Sequence, residues 1–131
     1  MNHRERLLAA LSHKQPDKVP IDLGSTNSSS IMVEGYDRLK EHFGIVTETK
    51  SASRWLRIVD LDERVLQLLD IDTRGVFIGS AFKKGDQELS PNQYRDMWGV
   101  ERIKPAHSYY YDQIVSPLAG EITISDIAHY P

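Results

Sequence analysis

Two short apolar runs set between turn formers, Val19-Pro20-Ile21-Asp22-Leu23 and Gly75-Val76-Phe77-Ile78-Gly79, constrain what this chain can fold into more than any other feature. Pro20 disfavours helix at Val19, so the first run is extended. The second lies between glycines and has the length and composition of a buried strand, predicted over Gly75–Ile78. Helical stripes separate the two runs. Met32, Tyr36, Leu39 and Phe43 recur at helical spacing, and Gly44 stands where a C′ residue belongs. Asp60-x-x-Glu63 reads as a capping box for a further helix with the stripe Leu61, Val65, Leu68 and Leu69. Ahead of them all, Asn2 and Glu5 form a capping-box start for a helix over roughly residues 3–13 carrying Leu7, Leu8 and Leu11. This alternation predicts an α/β architecture with parallel strands.

From Ala81 onward the pattern turns irregular and polar. It holds a weak extended signal over Gly99-Val100-Glu101-Arg102-Ile103, which predicts one hairpin or edge strand, and a helix start with Thr123 or Ser125 as its N-cap. Residues 1–18 thus read as a helix and linker, 19–80 as strand–helix units, and 81–131 as an insertion and the beginning of the next helix. The chain has 131 residues and no cysteine, so thiolate metal sites, disulfides and a cysteine nucleophile are excluded within it. With 16 Lys and Arg against 19 Asp and Glu, and both signs dispersed, it lacks the concentrated cationic surface that nucleic-acid binding needs. The run Leu7-Leu8-Ala9-Ala10-Leu11 is too short for a membrane span. A cytoplasmic protein is the expectation.

Five blocks carry a family resemblance: Arg4 through Gly24, the Tyr36…Leu39…Phe43-Gly44 helix, Leu68-Leu69-Asp70-Ile71-Asp72-Thr73-Arg74, Tyr94-Arg95-Asp96-Met97-Trp98-Gly99-Val100, and Pro117-Leu118-Ala119 ahead of Ser125-Asp126-Ile127-x-x-Tyr130-Pro131. In this order they resemble the opening of the uroporphyrinogen decarboxylase superfamily, most of all its corrinoid-dependent methyltransferase branch. The resemblance implies the N-terminal part of a TIM-type (β/α)₈ barrel, a fold of about 250 residues. It also implies that the isolated chain is inactive and self-associates through the strands left without neighbours. For a full-length family member it implies zinc and a corrinoid as cofactors, with a small molecule or a corrinoid protein as substrate. This segment itself is expected to hold no cofactor.

The decarboxylase branch of that family carries an arginine-rich block after its first strand and an aspartate near the end of its second. Here the corresponding stretches are Gly24-Ser25-Thr26-Asn27-Ser28-Ser29-Ser30 and Ile78-Gly79-Ser80-Ala81, with neither arginine nor carboxylate. Porphyrinogen decarboxylation is therefore the second reading behind methyl transfer, and a non-catalytic binding module of the same ancestry is the third. Candidate substrate-binding residues are Ser25, Thr26, Asn27 and Ser80, at the ends of the two expected strands. A plain hydrated loop with Ser29 or Ser30 as helix cap is the simpler reading of the first three. His3, His13, His42, His107 and His129 show no pairing that converges on a metal, so no metal ligand is expected. Asp96 is expected to bond a turn and Trp98 to act as a packing anchor.

Overall fold

A computed structural model describes residues 1–77 and 85–130. The chain divides into two compact units, Met1–Phe77 and Ile78–Pro131. The first contains α1 (His3–Leu11), α2 (Val33–His42), a hairpin of β1 (Lys50–Ser53) and β2 (Ile58–Asp60), and α3 (Glu63–Leu68). Its apolar centre is Tyr36, Val59 and Val65, packed by Ile31, Val33, Leu39, Ile45, Leu61 and Leu69. The helical stripe read from the sequence is the face that α2 turns inward, with Tyr36 buried and Leu39 beside it.

The helix ends follow local chemistry. At the start of α1 the Asn2 side chain accepts the Glu5 amide at 2.8 Å while Glu5 accepts the Asn2 amide at 3.0 Å, so the expected capping box is formed. All three helices of this unit close with paired backbone bonds across a left-handed residue. In α1, Lys14 N donates to Ala9 O and His13 N to Ala10 O. In α2 the donors are Ile45 and Gly44, and in α3 they are Ile71 and Asp70. The start of α3 departs from expectation. Asp62, not Asp60, is the cap and accepts the Arg64 amide at 3.0 Å, which places the helix two residues later.

The expected barrel segment is overturned. Among the described residues the strands form two separate antiparallel sheets, of two and four strands, the helices are short, and nothing closes into a barrel. Val19–Leu23 and residues 71–77 are not strands, although bonds join Ile21 and Asp22 of the first to Asp72 and Thr73 of the second. Asp72 N donates to Ile21 O at 2.9 Å, Ile21 N donates to the Asp72 carboxylate at 2.8 Å, and the Thr73 hydroxyl donates to Asp22. The partners are separated by a constant 51 residues, so the two stretches run parallel. A ladder fails for identifiable reasons. Pro20 has no donor, the Asp72 side chain replaces a carbonyl opposite Ile21, and the Thr73 carbonyl is occupied by Arg74 at 2.7 Å. Nor are these runs buried as expected, since Val19 is 80 % and Val76 96 % exposed. Ile78 and Gly79 lie outside the described residues.

The second unit is a meander in the order β3 (Gln87–Ser90), β4 (Gln93–Arg95), β5 (Glu101–Ile103), β6 (Asp112–Val115), followed by α4 (Ile124–Ala128). One hairpin or edge strand was expected between Ala81 and Tyr111, where β3, β4 and β5 stand, with β6 directly after. The β4–β5 turn is built by Asp96, whose carboxylate accepts the amides of Trp98 and Val100, each at 3.0 Å, with Gly99 in a left-handed conformation. Trp98 is 44 % exposed and so is not the packing anchor expected of it. Tyr94 fills that role, 2 % exposed and edge-on to Tyr111. Thr123 and Asp126 form the capping box of α4.

Candidate functional site

The polar loop 24–30 is held from its base by Asp22. The Asp22 carboxylate accepts the Ser25 amide at 3.3 Å and the Thr73 hydroxyl. Partial burial pushes its pKa up, but hydrogen bonds from Ser25, Thr73 and Ser29 outweigh this and hold it below the usual carboxylate value. Across the loop Gly24 N donates to Ser29 O at 2.9 Å, Ser29 N donates to Thr26 O at 3.2 Å, and Thr26 N donates to Ser29 Oγ at 3.1 Å. Gly24 is required for the turn. Its φ is 82°, and a Cβ there would stand 2.3 Å from Leu61 Cδ1.

This geometry changes the meaning of the predicted residues. Ser25, Thr26 and Asn27 are brought together on one loop, in which the amides of Gly24, Ser25, Thr26 and Ser29 are bonded within the loop or to Asp22. Neither Ser29 nor Ser30 caps that helix. Met32 is its N-cap, without a side-chain bond, Val33 N donates to Arg57 O at 3.0 Å, and Ser30 Oγ donates to Val59 O at 2.8 Å. Thr26, Asn27 and Ser28 form the exposed rim. Ser80, the fourth predicted residue, lies outside the described residues. Asp22 was missed by sequence reasoning, although the Asp-x-x-Ser spacing to Ser25 is a recognisable turn signal.

Below the loop a cluster of charges ties three distant stretches together. Arg6 reaches Asp17 through Nε at 2.8 Å and Nη2 at 3.1 Å, and also contacts Asp72, whose side chain is fully buried. His3 Nδ1 stands 2.8 Å from Asp72, and Lys18 pairs with Asp70. The Ile21 amide, then His3 and Arg6, holds the Asp72 carboxyl well below the usual range against its burial, and Arg6 does the same for Asp17. These groups satisfy one another. The cluster is an anchor for α1.

A half-open cleft of about 420 Å³ lies against α2 and the hairpin, lined by Tyr36, Thr47, Lys50, Asp60, Asp62 and others. At its floor the Tyr36 hydroxyl accepts the Asp62 amide at 2.8 Å, and burial raises its pKa, so it stays protonated. In the second unit a hollow beside α4 is lined by Ser125, Asp126 and His129. The imidazole there is engaged with its own helix, with Nδ1 2.7 Å from the Ser125 carbonyl, and Asp126 serves Thr123. These three residues form no nucleophilic relay.

Among the described residues no group of three histidine, aspartate or glutamate side chains converges in a way that could hold a metal. His3, Asp70 and Asp72 come nearest, but Arg6 and Lys18 already occupy the carboxylates. Among the same residues no helix is long and apolar enough to cross a membrane. The chain matches no protein-family model, no curated protein and no solved structure.

Proposed function

We propose that this chain supplies a substrate-side loop to a uroporphyrinogen-decarboxylase-like enzyme of the methyl-transfer type, one that acts on a methylated small molecule or a corrinoid-bearing protein. Five sequence blocks support the ancestry, and several of their residues have structural duties: Arg6, Asp17 and Asp72 anchor α1, Asp96 and Gly99 build a turn, and Asp126 caps α4. The observation that favours methyl transfer over porphyrinogen decarboxylation is the sign of charge at the loop. A porphyrinogen carries several carboxylates and needs cations, whereas residues 24–30 offer hydroxyls and an amide above an ionised Asp22. Such a surface fits an uncharged or cationic polar group. Zinc chemistry in this family uses thiolate and imidazole ligands, and the donors of this chain do not fit it: there is no cysteine, and the carboxylates beside His3 are paired with cations.

The test is an amide-shift titration of the labelled chain with methylcobalamin and, separately, with uroporphyrin. Shifts confined to residues 25–28 with methylcobalamin, and lost in Asp22→Ala, are expected. Shifts there with uroporphyrin, or no response to methylcobalamin, overturn the reading. The third reading, a non-catalytic binding module of the same ancestry, is favoured by the exposed Ile114, Val115, Ile124 and Ile127 of the second unit.

A further inference from the structure

The helix α1 is docked on the first unit by polar contacts. Arg6 is its one buried residue, while Leu8 and Leu11 are 45 % and 68 % exposed. A helix of nine residues has little stability of its own, so one docked through a buried charge is loosened when that charge loses its partners. Its holding point Asp72 faces two ways. Oδ1 accepts from Arg6 Nη1 and stands 2.8 Å from His3 Nδ1, both on α1, whereas Oδ2 accepts the Ile21 amide at 2.8 Å. The Asp72 amide returns a bond to Ile21 O at 2.9 Å. One residue further along each stretch, the Thr73 hydroxyl donates to Asp22 Oδ1, the same oxygen that accepts the Ser25 amide. Contacts thus run from α1 through Asp72 to Ile21 and Asp22, and from Asp22 into the loop 24–30. The joint needs a carboxylate. The Asp72 side chain is fully buried with donors on both sides, and asparagine, the neutral side chain of the same shape, has one acceptor oxygen where two are used.

We propose that α1 is a strap: docked on Asp72 it holds the loop 24–30 in shape, and undocked it lets the loop loosen. The coupling holds whatever group the loop binds, and so is independent of the methyl-transfer reading. Amide exchange on the full labelled chain, with no ligand added, tests it. Asp72→Asn turns a donor toward either α1 or Ile21, and is expected to speed exchange of the bonded Ser25, Thr26 and Ser29 amides roughly tenfold. The Tyr36 and Phe43 amides, bonded within α2, are expected to keep their rates. Arg6→Gln removes the buried charge that docks α1 and leaves Asp72 in place. It is expected to accelerate the same loop amides, and it carries the test alone where Asp72→Asn does not fold. Thr73→Val cuts only the last link, so Ser25 should exchange faster while the Ser12 and Lys14 amides that close α1 keep wild-type rates. Lys18→Met removes the neighbouring pair with Asp70 and should leave the loop unchanged. A loop that keeps its wild-type rates in Arg6→Gln overturns the proposal. So does an equal acceleration in α2, which makes the effect a general loss of stability, or a loop that Lys18→Met loosens as much as Arg6→Gln.

Discussion

The two units of this chain are stabilised by opposite means. In Met1–Phe77, Tyr36, Val59 and Val65 form a buried apolar centre, and the Arg6 cluster pins α1 to the segments around Asp17 and Asp72. In the second unit Tyr94 is the one buried large apolar side chain among the described residues, and a sheet with polar residues on both faces is held by its ladder, by the Arg95–Glu101 pair at 2.6 Å and by the Asp96 turn. A sheet of that kind rests on backbone bonding and on a single aromatic. The first unit spreads its stability over a core and an ionic anchor, and it should tolerate the loss of any one apolar residue better.

Tyr94→Ala is the sharpest way to break that contrast. Removing the buried ring and its edge-on contact with Tyr111 should cost about 3–5 kcal/mol and release the amides of β4 and β5 to rapid exchange, while those of α2 keep their protection. Val65→Ala in the first unit is expected to cost about 2 kcal/mol and to leave its helices protected. Equal loss of protection in both units after Tyr94→Ala would show that the core of the first unit does not stand on its own.

The second test concerns the ionic anchor. Asp17 and Asp72 are held below their usual value of 3.8 by partners present only in the folded chain, Arg6 for the first, the Ile21 amide with His3 and Arg6 for the second. A carboxylate with a depressed folded pKa contributes stability that is complete above the unfolded value and is lost as pH falls below about 4. The first unit should therefore lose stability steeply on acidification. In Arg6→Met the protein should already be weaker at neutral pH, because Asp72 is left buried with less compensation, and its stability should vary less with pH in the acid range. Urea midpoints measured across that range check both. A variant with the wild-type slope would remove Arg6 from the anchor.

The same contrast explains what could be read in the sequence. Asn2 with Glu5, Gly44 after the α2 stripe, Asp96 in its turn and Thr123 before α4 were legible because each acts within a few residues. The Arg6–Asp72 contact spans 66 residues and has no local signature. The two apolar runs did not become the parallel strands that alternation suggested: bonds join Ile21 and Asp22 to Asp72 and Thr73, ahead of the second run, and a proline, a side chain in place of a carbonyl, and Arg74 on the Thr73 carbonyl prevent a ladder there. Of the meander only β5 was visible, in the extended signal over residues 99–103; strands such as Gln87-Glu88-Leu89-Ser90 lack apolar alternation, the signal by which a half-buried sheet is recognised. At the site, the hydroxyl-rich loop was visible and its anchor Asp22 was signalled only by its Asp-x-x-Ser spacing to Ser25, since the bond to Thr73 spans 51 residues and has no local signature.

The units differ again in how they turn, and here the smallest effect is expected. Among the described residues of the second unit the left-handed positions, Gly99 and Gly120, are glycines. The first unit places His13, Arg57 and Asp70 at such positions beside Gly24 and Gly44. A side chain there crowds the following carbonyl at a cost of about 1 kcal/mol or more. Arg57 pairs with Glu34, and Asp70 with Lys18, so replacing either would remove an ion pair together with the strain. His13 closes α1 at φ 55° and is exposed, which isolates the backbone effect. His13→Gly should stabilise the chain by about 0.5 kcal/mol, the relief of strain being partly offset by the greater freedom glycine gains on unfolding. Gly44→Ala, at the equivalent end of α2 where a Cβ meets no atom within 4 Å, should destabilise it by about 1 kcal/mol. Thermal midpoints moving in opposite directions for these two changes would establish that the helix ends of the first unit carry unrelieved backbone strain. A destabilised His13→Gly would mean that the imidazole makes up for its backbone conformation through contacts of its own.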